Sequence, residues 1–207
     1  MSISFPITDS GMGGVFDYLY RLRNDGTNSV LVHTNQSSIY KPNPFWSGAH
    51  VLVIPNKGTA TIDNFASNSV AFSNFTISFP FHLMKITHYK FQTRTDSHHN
   101  RHFPVSWVLH ASRNGITWFE INRITASGFN TFAEIKTFPI ANVVDSFIHF
   151  RFTQTSTNSV ISHHFVLHRV EFFGTLTDVC HCFSHRNKCQ CHRNMLFDVI
   201  FTLTTIE

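Results

Sequence analysis

Cysteine is absent from the first 179 residues of this 207-residue chain, which excludes a small module held together by disulfides and points to a reducing compartment. Charge is scarce too: Asp, Glu, Lys and Arg make up 14% of the residues, against about 25% in an average soluble protein. The 16 Lys and Arg are scattered, so no basic run can track a phosphate backbone and nucleic acid is not expected as a partner. No stretch approaches the roughly 18 consecutive apolar residues of a membrane span. The start, MSISFPITDSGMGG, lacks the basic-then-apolar order of a secretory leader, so the expected setting is cytoplasmic. In that setting Asn35-Gln-Ser37 and Asn74-Phe-Thr76, which match the glycosylation pattern, read as ordinary loop or strand asparagines. Catalytic signatures are missing as well. There is no Gly-x-Ser-x-Gly, no phosphate-cradling glycine loop and no His-Glu-x-x-His, and the reading is that the chain is not an enzyme. Of only 12 carboxylates, Glu120, Glu134 and Glu171 fall in strand-like segments and are read as solvated or ion-paired.

What the chain does have is phenylalanine, 23 of them, together with 15 histidines and many Ser, Thr and Asn. That mixture excludes disorder and favours strands and turns over helices, because the short polar side chains compete with the helical backbone. One helix candidate stands out, 14–23, where Phe16, Leu19 and Tyr20 share a face ahead of the stop Asn24-Asp25-Gly26. Strand-like runs then recur at 28–34, 49–54, 69–79, 84–94, 105–113, 116–122, 132–138, 147–155 and 164–174, most of them separated by turn residues. In 147–155, Ile148, Phe150 and Phe152 alternate with His149, Arg151 and Thr153, as expected for one layer of a two-sheet stack. Asn114-Gly115 predicts a tight type I′ hairpin, with Trp107, Leu109 and Ala111 on the apolar face before it and Phe119 and Ile121 after it. Two tryptophans on one hairpin need further strands to hide them. Together these features predict an all-β sandwich or barrel.

The pattern Pro-x-Ser-Trp-x-Leu-x-x-Ser-x-Asn-Gly-x-x-Trp over 104–118, the strand Phe147-Ile-His-Phe-Arg-Phe-Thr-Gln-Thr155 and the closing Val170-Glu-Phe-Phe-Gly-Thr-Leu176 resemble the discoidin, or coagulation factor 5/8 type C, family. Gly14-Val-Phe-Asp-Tyr-Leu19, Gln36-Ser-Ser38 and Ile86-Thr-His-Tyr-Lys-Phe-Gln-Thr-Arg94 resemble an intracellular branch of it. The resemblance implies a galactose-binding-like jelly-roll β-sandwich with a short N-terminal helix, here over 14–176, preceded by an arm at 1–13 and followed by a Cys/His-rich tail at 177–207. It also implies a non-catalytic binding module whose loops, at one end of the sandwich, take a protein or carbohydrate partner. The alternative is a structural subunit of a cytoskeletal or ciliary, microtubule-associated assembly. The cysteine pair that closes the secreted domains is missing, and Asn74-Phe-Thr-Ile-Ser-Phe79 replaces a Trp-containing strand.

Three segments are candidate sites. In Ser38-Ile-Tyr-Lys-Pro-Asn-Pro-Phe-Trp-Ser47, two prolines stiffen a loop bearing Tyr40, Phe45 and Trp46, which either meet a ligand or cap the core. In Asp96-Ser-His-His-Asn-Arg-His102, the side chains of His98, His99, Arg101 and His102 could bond hydroxyls or a carboxylate, could ligate a metal, or could form a solvated loop. His163, His164 and His168 are read the same way. Cys180, Cys182, Cys189 and Cys191 would make a sulfur site suited to zinc. The Cys-x-Cys spacing points extended-chain sulfurs apart, so a flexible tail with unligated thiols is the expected state and no cofactor is required.

Overall fold

Phe75, Ile77 and Phe79 are fully buried while Asn74, Thr76 and Ser78 between them are half-exposed; a strand with that alternation needs a second layer over its apolar side. The computed structural model supplies it, describing residues 2–7, 12–22, 31–40, 46–47, 49–53, 64–95, 101–142 and 145–179. In chain order the strands and helix are β1 (Ser2–Phe5), α1 (Val15–Leu22), β2 (His33–Gln36), β3 (Trp46–Ser47), a 3₁₀ turn (Ala49–Val53), β4 (Asn64–Ala66), β5 (Asn74–Ser78), β6 (His82–Gln92), β7 (Trp107–Ser112), β8 (Phe119–Ile124), β9 (Ile135–Pro139), β10 (His149–Gln154), β11 (Val166–Leu167) and β12 (Arg169–Asp178). One sheet runs β1-β12-β6-β9, the facing one β2-β5-β10-β7-β8, and a small third sheet β11-β4-β3. Every pairing in the two large sheets is antiparallel. The chain is an all-β jelly-roll sandwich.

Aromatic rings fill the space between the sheets. Phe75 lies 5.1 Å from Phe152, 5.3 Å from Phe165 and 5.4 Å from Phe65, each pair in the offset or tilted range that ring quadrupoles favour. Burying one such side chain contributes on the order of 2 kcal/mol. Trp107 is fully buried, and its indole N–H donates to the Tyr89 hydroxyl at 2.8 Å. Tyr89 in turn donates to Asn122 Oδ1 at 2.9 Å, and Asn122 Nδ2 donates to the Pro139 carbonyl at 3.1 Å. The relay satisfies each polar group brought inside. Burial also holds the Tyr89 phenol well above its ordinary range.

Helix α1 buries Val15, Phe16 and Leu19, whereas Tyr20, expected on that face, is half-exposed. Glu171 of β12 fastens its first turn. This fully buried carboxylate accepts the Phe16 N–H at 2.7 Å and the Asp17 N–H at 3.3 Å, its own neighbour's Phe172 N–H at 3.1 Å, and the Arg169 guanidinium at 3.3 Å. The Phe16 and Asp17 amides are ones a helix N-terminus leaves unpaired. Gly14 permits the approach, since a Cβ there would sit 2.5 Å from the Phe172 carbonyl oxygen. A second glycine, Gly174, has φ +142 where the β12–β6 register slips, and a Cβ there would collide with the Lys85 carbonyl.

Several expectations are corrected. Residues 49–53 form a 3₁₀ turn, not a strand; Ala49, Leu52 and Val53 are buried, a spacing that fits a helical turn, and Gln36 Oε1 accepts the Ala49 N–H at 3.0 Å. The Asn114-Gly115 connection is not a two-residue type I′ turn, for Gly115 has positive φ and Asn114 does not. Side chains rebuild the turn instead: Asn114 Oδ1 accepts the Ile116 and Thr117 N–H groups at 2.9 Å each, and Ser112 Oγ accepts Gly115 N–H at 2.9 Å. The loop therefore spans 113–118 and carries Trp118 out of the core. Beyond it, a bulge pairs His110 with Glu120 and Leu109 with Asn122, which brings Asn122 inward as well as Ile121, half-buried against the core as expected, while Phe119, expected on the same face, is 54% exposed. Strands β1, β3 and β4 were not foreseen; β1 runs along β12.

Candidate functional site

The registers fix which loops share an end. β2 and β7 begin or finish opposite the same ends of β5 and β10, so the connections after β2, before β5, before β7 and after β10 all open together. The segments carrying Tyr40 and His102 are two of these four.

They meet around His164. The Tyr40 N–H donates to the Ala66 carbonyl at 2.8 Å, and its ring stands edge-on to His164, centroids 4.7 Å apart. His164 is in turn edge-on to His102 at 5.4 Å. His164 Nδ1 lies 2.7 Å from the Ser67 carbonyl; a carbonyl only accepts, so Nδ1 carries the proton and Nε2 is the acceptor. Asn158, almost fully buried, braces the group from behind. Its Oδ1 accepts the Val160 and Ser162 N–H groups, each at 3.1 Å, which orients the amide. Its Nδ2 then donates to the His164 carbonyl at 3.0 Å and to Ser162 Oγ at 2.8 Å. His102 Nδ1 joins the same cluster, 3.1 Å from that Nδ2 and 3.2 Å from Ser162 Oγ. His102 and His164 are thus held side by side, the first by Asn158 and Ser162 and the second by the Ser67 carbonyl.

Around this centre the backbone is clipped together. The Phe103 N–H donates to Ser159 Oγ at 3.0 Å, Ser159 Oγ donates to the Arg101 carbonyl, and the His163 N–H donates to Ser69 Oγ at 3.1 Å. Arg101 lies exposed at the rim. Beside it, apolar side chains stand in water: Phe72 is 66% and Ile161 85% exposed, with Val70 and Val160 next to them. Phe72 and Ile161 also have φ near +60, a left-handed conformation that costs a bulky or β-branched residue about 1 kcal/mol or more. Backbone strain of this kind clusters where loops serve a purpose.

Of the residues singled out beforehand, Tyr40, Arg101 and His102 lie in this end of the sandwich. Trp46 contributes backbone to β3, paired with Asn64. Phe45, His98, His99, Cys180, Cys182, Cys189 and Cys191 lie outside the described residues. Among the described residues no group of three or more His, Cys, Asp or Glu is placed to hold a metal, and no helix is long and apolar enough to cross a membrane. His164 had been read in the same way as His102, whereas Asn158, Ser162, Phe72 and Ile161 were missed. The available signal was Val160-Ile161, an apolar pair inside an otherwise polar loop.

No known protein family profile matches the chain, and no curated protein does. Solved structures do. A Clostridium perfringens CBM32 module in complex with GalNAc-β-1,3-galactose aligns at 13% identity over 69% of this chain and 94% of that one, TM-score 0.53. The fold is the galactose-binding-like jelly roll. Another family 32 module of the same organism, in complex with galactose, gives 12% identity over 69% and 93%, TM-score 0.52. A fucolectin from striped bass serum gives 14% identity over 70% of this chain and 47% of that one, TM-score 0.54. At such identities the galactose-binding-like sandwich is what is shared, and the loop residues described above belong to this chain.

Proposed function

We propose that the chain is a non-catalytic binding module that recognises a carbohydrate with the loop end holding Tyr40, His102 and His164. The observation that carries this reading is the braced His102–His164 pair. Two imidazole rings held side by side against an aromatic ring match the hydroxyls and C–H faces of a sugar. Asn158 holds the pair in place before any ligand arrives, which reduces the entropy lost on binding. The similarity to modules solved with galactose and GalNAc-β-1,3-galactose supports galactose-terminated glycans as the first class to try. The cysteine-free first 179 residues support an intracellular setting, with the binding domain running from β1 to the end of β12 at Asp178.

A glycan array read with the full chain tests the proposal. Galactose-terminated glycans are expected to bind, and His164→Ala or Tyr40→Ala to weaken the signal about tenfold, the equivalent of one lost polar or ring contact. Absence of any glycan signal, or signals untouched by both substitutions, would refute it.

The exposed Phe72 and Ile161 favour a second reading, a structural subunit of a larger assembly, cytoskeletal or ciliary, in which these tips are covered by a protein neighbour. Sedimentation of native extract separates the two: an assembly subunit travels in a large complex that Phe72→Ser/Ile161→Ser disperses, and a sugar-binding module does not.

A further inference from the structure

The outward face of the five-stranded sheet carries a second, unrelated set of side chains. Its central row, read across the registers, is Asn35, Thr76, Arg151, His110 and Glu120. Three arginines reach this face and its lower rim. Two of them are neutralised: Arg123 makes a two-pronged contact with Glu120 at 2.8 and 2.5 Å, and Arg113 meets Asp145 at 3.0 Å. Arg151, at the centre, meets no carboxylate among the described residues. What it meets is Trp118, whose ring centroid lies 3.9 Å from the guanidinium carbon.

The whole 113–118 loop is built to deliver that ring. Trp118 Nε1 donates to the Gly115 carbonyl at 3.1 Å, and the Ser112 and Asn114 side chains hold the turn closed, so the indole is folded back over the sheet. A guanidinium stacked on an aromatic face keeps its in-plane N–H fork available, and that fork matches the two oxygens of a carboxylate. The neighbouring histidines do not compete for an anion near neutrality. Burial, then repulsion from Arg151, keeps His110 below its usual pKa, and burial does the same to His149, whose Nδ1 is engaged with Ser78 Oγ at 2.8 Å. Among the described residues Arg151 is therefore the positive charge of the row without a carboxylate partner, with the Thr76 hydroxyl beside it.

We propose that this face is a second binding site, separate from the loop end, which takes an acidic peptide through a Glu or Asp carboxylate on Arg151. A peptide is favoured over an acidic sugar for two reasons. Arg151 covers the Trp118 face turned toward the sheet, so that face offers no stacking surface to a pyranose. Ile116, 83% exposed in the same loop, adds an apolar contact for a peptide side chain.

The test uses the full chain and a fluorescein-labelled peptide alternating Glu with Leu, followed by fluorescence anisotropy. Saturable binding that weakens as salt rises is expected. Arg151→Gln is expected to weaken it about tenfold or more. Arg151→Lys keeps the charge but not the fork, and should recover only part of that loss. Trp118→Leu, which leaves Arg151 in place but unsupported, is expected to fall between wild type and Arg151→Gln. His164→Ala should change nothing, which separates this site from the loop end. The proposal is overturned if the peptide does not bind saturably, if Arg151→Gln with an unchanged circular-dichroism melt binds as wild type, or if a uronic-acid oligosaccharide binds through Arg151 in preference to the peptide.

Discussion

Removing one oxygen atom from the core tests the polar relay described above. Tyr89→Phe deletes the hydroxyl that accepts from Trp107 and donates to Asn122. The Trp107 indole N–H is then left with no acceptor in a site without solvent access, at a cost of about 1–3 kcal/mol. Asn122 is only half-buried and can turn to water, so it adds little. A net loss near 2 kcal/mol lowers the melting temperature by about 4–8 °C in a domain of this size. Trp107→Phe also destabilises, through lost ring volume. The double variant is the sharper measurement: once the indole N–H is gone, the missing hydroxyl matters less, so the pair should cost at least about 1 kcal/mol less than the sum of the singles. Urea unfolding followed by far-ultraviolet circular dichroism measures all four proteins without relying on the tryptophan being replaced. Singles that add to within about 0.3 kcal/mol would show the two groups to be uncoupled and the relay to be energetically empty.

Glu171 predicts a pH dependence. Burial pushes its carboxyl up to about 7, against the pull of Arg169 and three backbone amides. A raised acid favours the folded state most below its unfolded pKa of 4.5 and loses that advantage as pH rises through about 7, a change of about 3 kcal/mol. His110 and His149, held low by burial, act in the opposite sense below pH 6.5, so the contribution of Glu171 is read from the difference between wild-type and Glu171→Gln urea midpoints over pH 4.5–7.5; a flat difference contradicts it. Gly174→Ala forces a Cβ into the Lys85 carbonyl at positive φ, and a loss of about 3 kcal/mol or more is expected, visible as failure to fold or a much lower melting temperature. Ile161→Asn goes the other way. Asn tolerates φ near +60, and an 85% exposed side chain gives up no packing, so a calorimetric melt should show up to about 1 kcal/mol of added stability.

The parts of the fold legible beforehand were those where one strong periodicity acts alone. In 69–79 and 147–155 the inward apolar side chains repeat every second residue, Phe75, Ile77 and Phe79 in one and Phe150 and Phe152 in the other, and β5 and β10 lie inside those limits. Where side chains redirect the backbone, period and propensity mislead. Ser112 and Asn114 close a wide loop that the Asn-Gly dipeptide alone does not reveal, and Ala49, Leu52 and Val53 satisfy a helical spacing inside a segment rich in β-formers. Strands of two to four residues, β1, β3 and β4, carry too few alternations to be seen. The candidate site was half visible for a similar reason. Tyr40 and His102 attract notice as aromatic and polar groups on loops. Asn158 matters only because the chain brings 158–165 against 101–103 and 67–69, contacts of 56 to 98 residues in sequence separation, and nothing local to Asn158 announces that meeting. Arg151 was placed correctly on the outward side of its strand, but its stacking on Trp118 depends on the loop that was misjudged.

Pairing β1 with β12 sets Ser2 against Thr177, at the pole of the sandwich away from Tyr40, His102 and His164. Ser2 and Thr177, whose hydroxyls lie 2.9 Å apart, therefore form a single point of attachment, with the opposite pole facing outward. A label placed at Ser2 or at Thr177 should present the same surface to a partner, and two such modules tethered there would hold their tips in parallel, the geometry that turns weak single contacts into avidity.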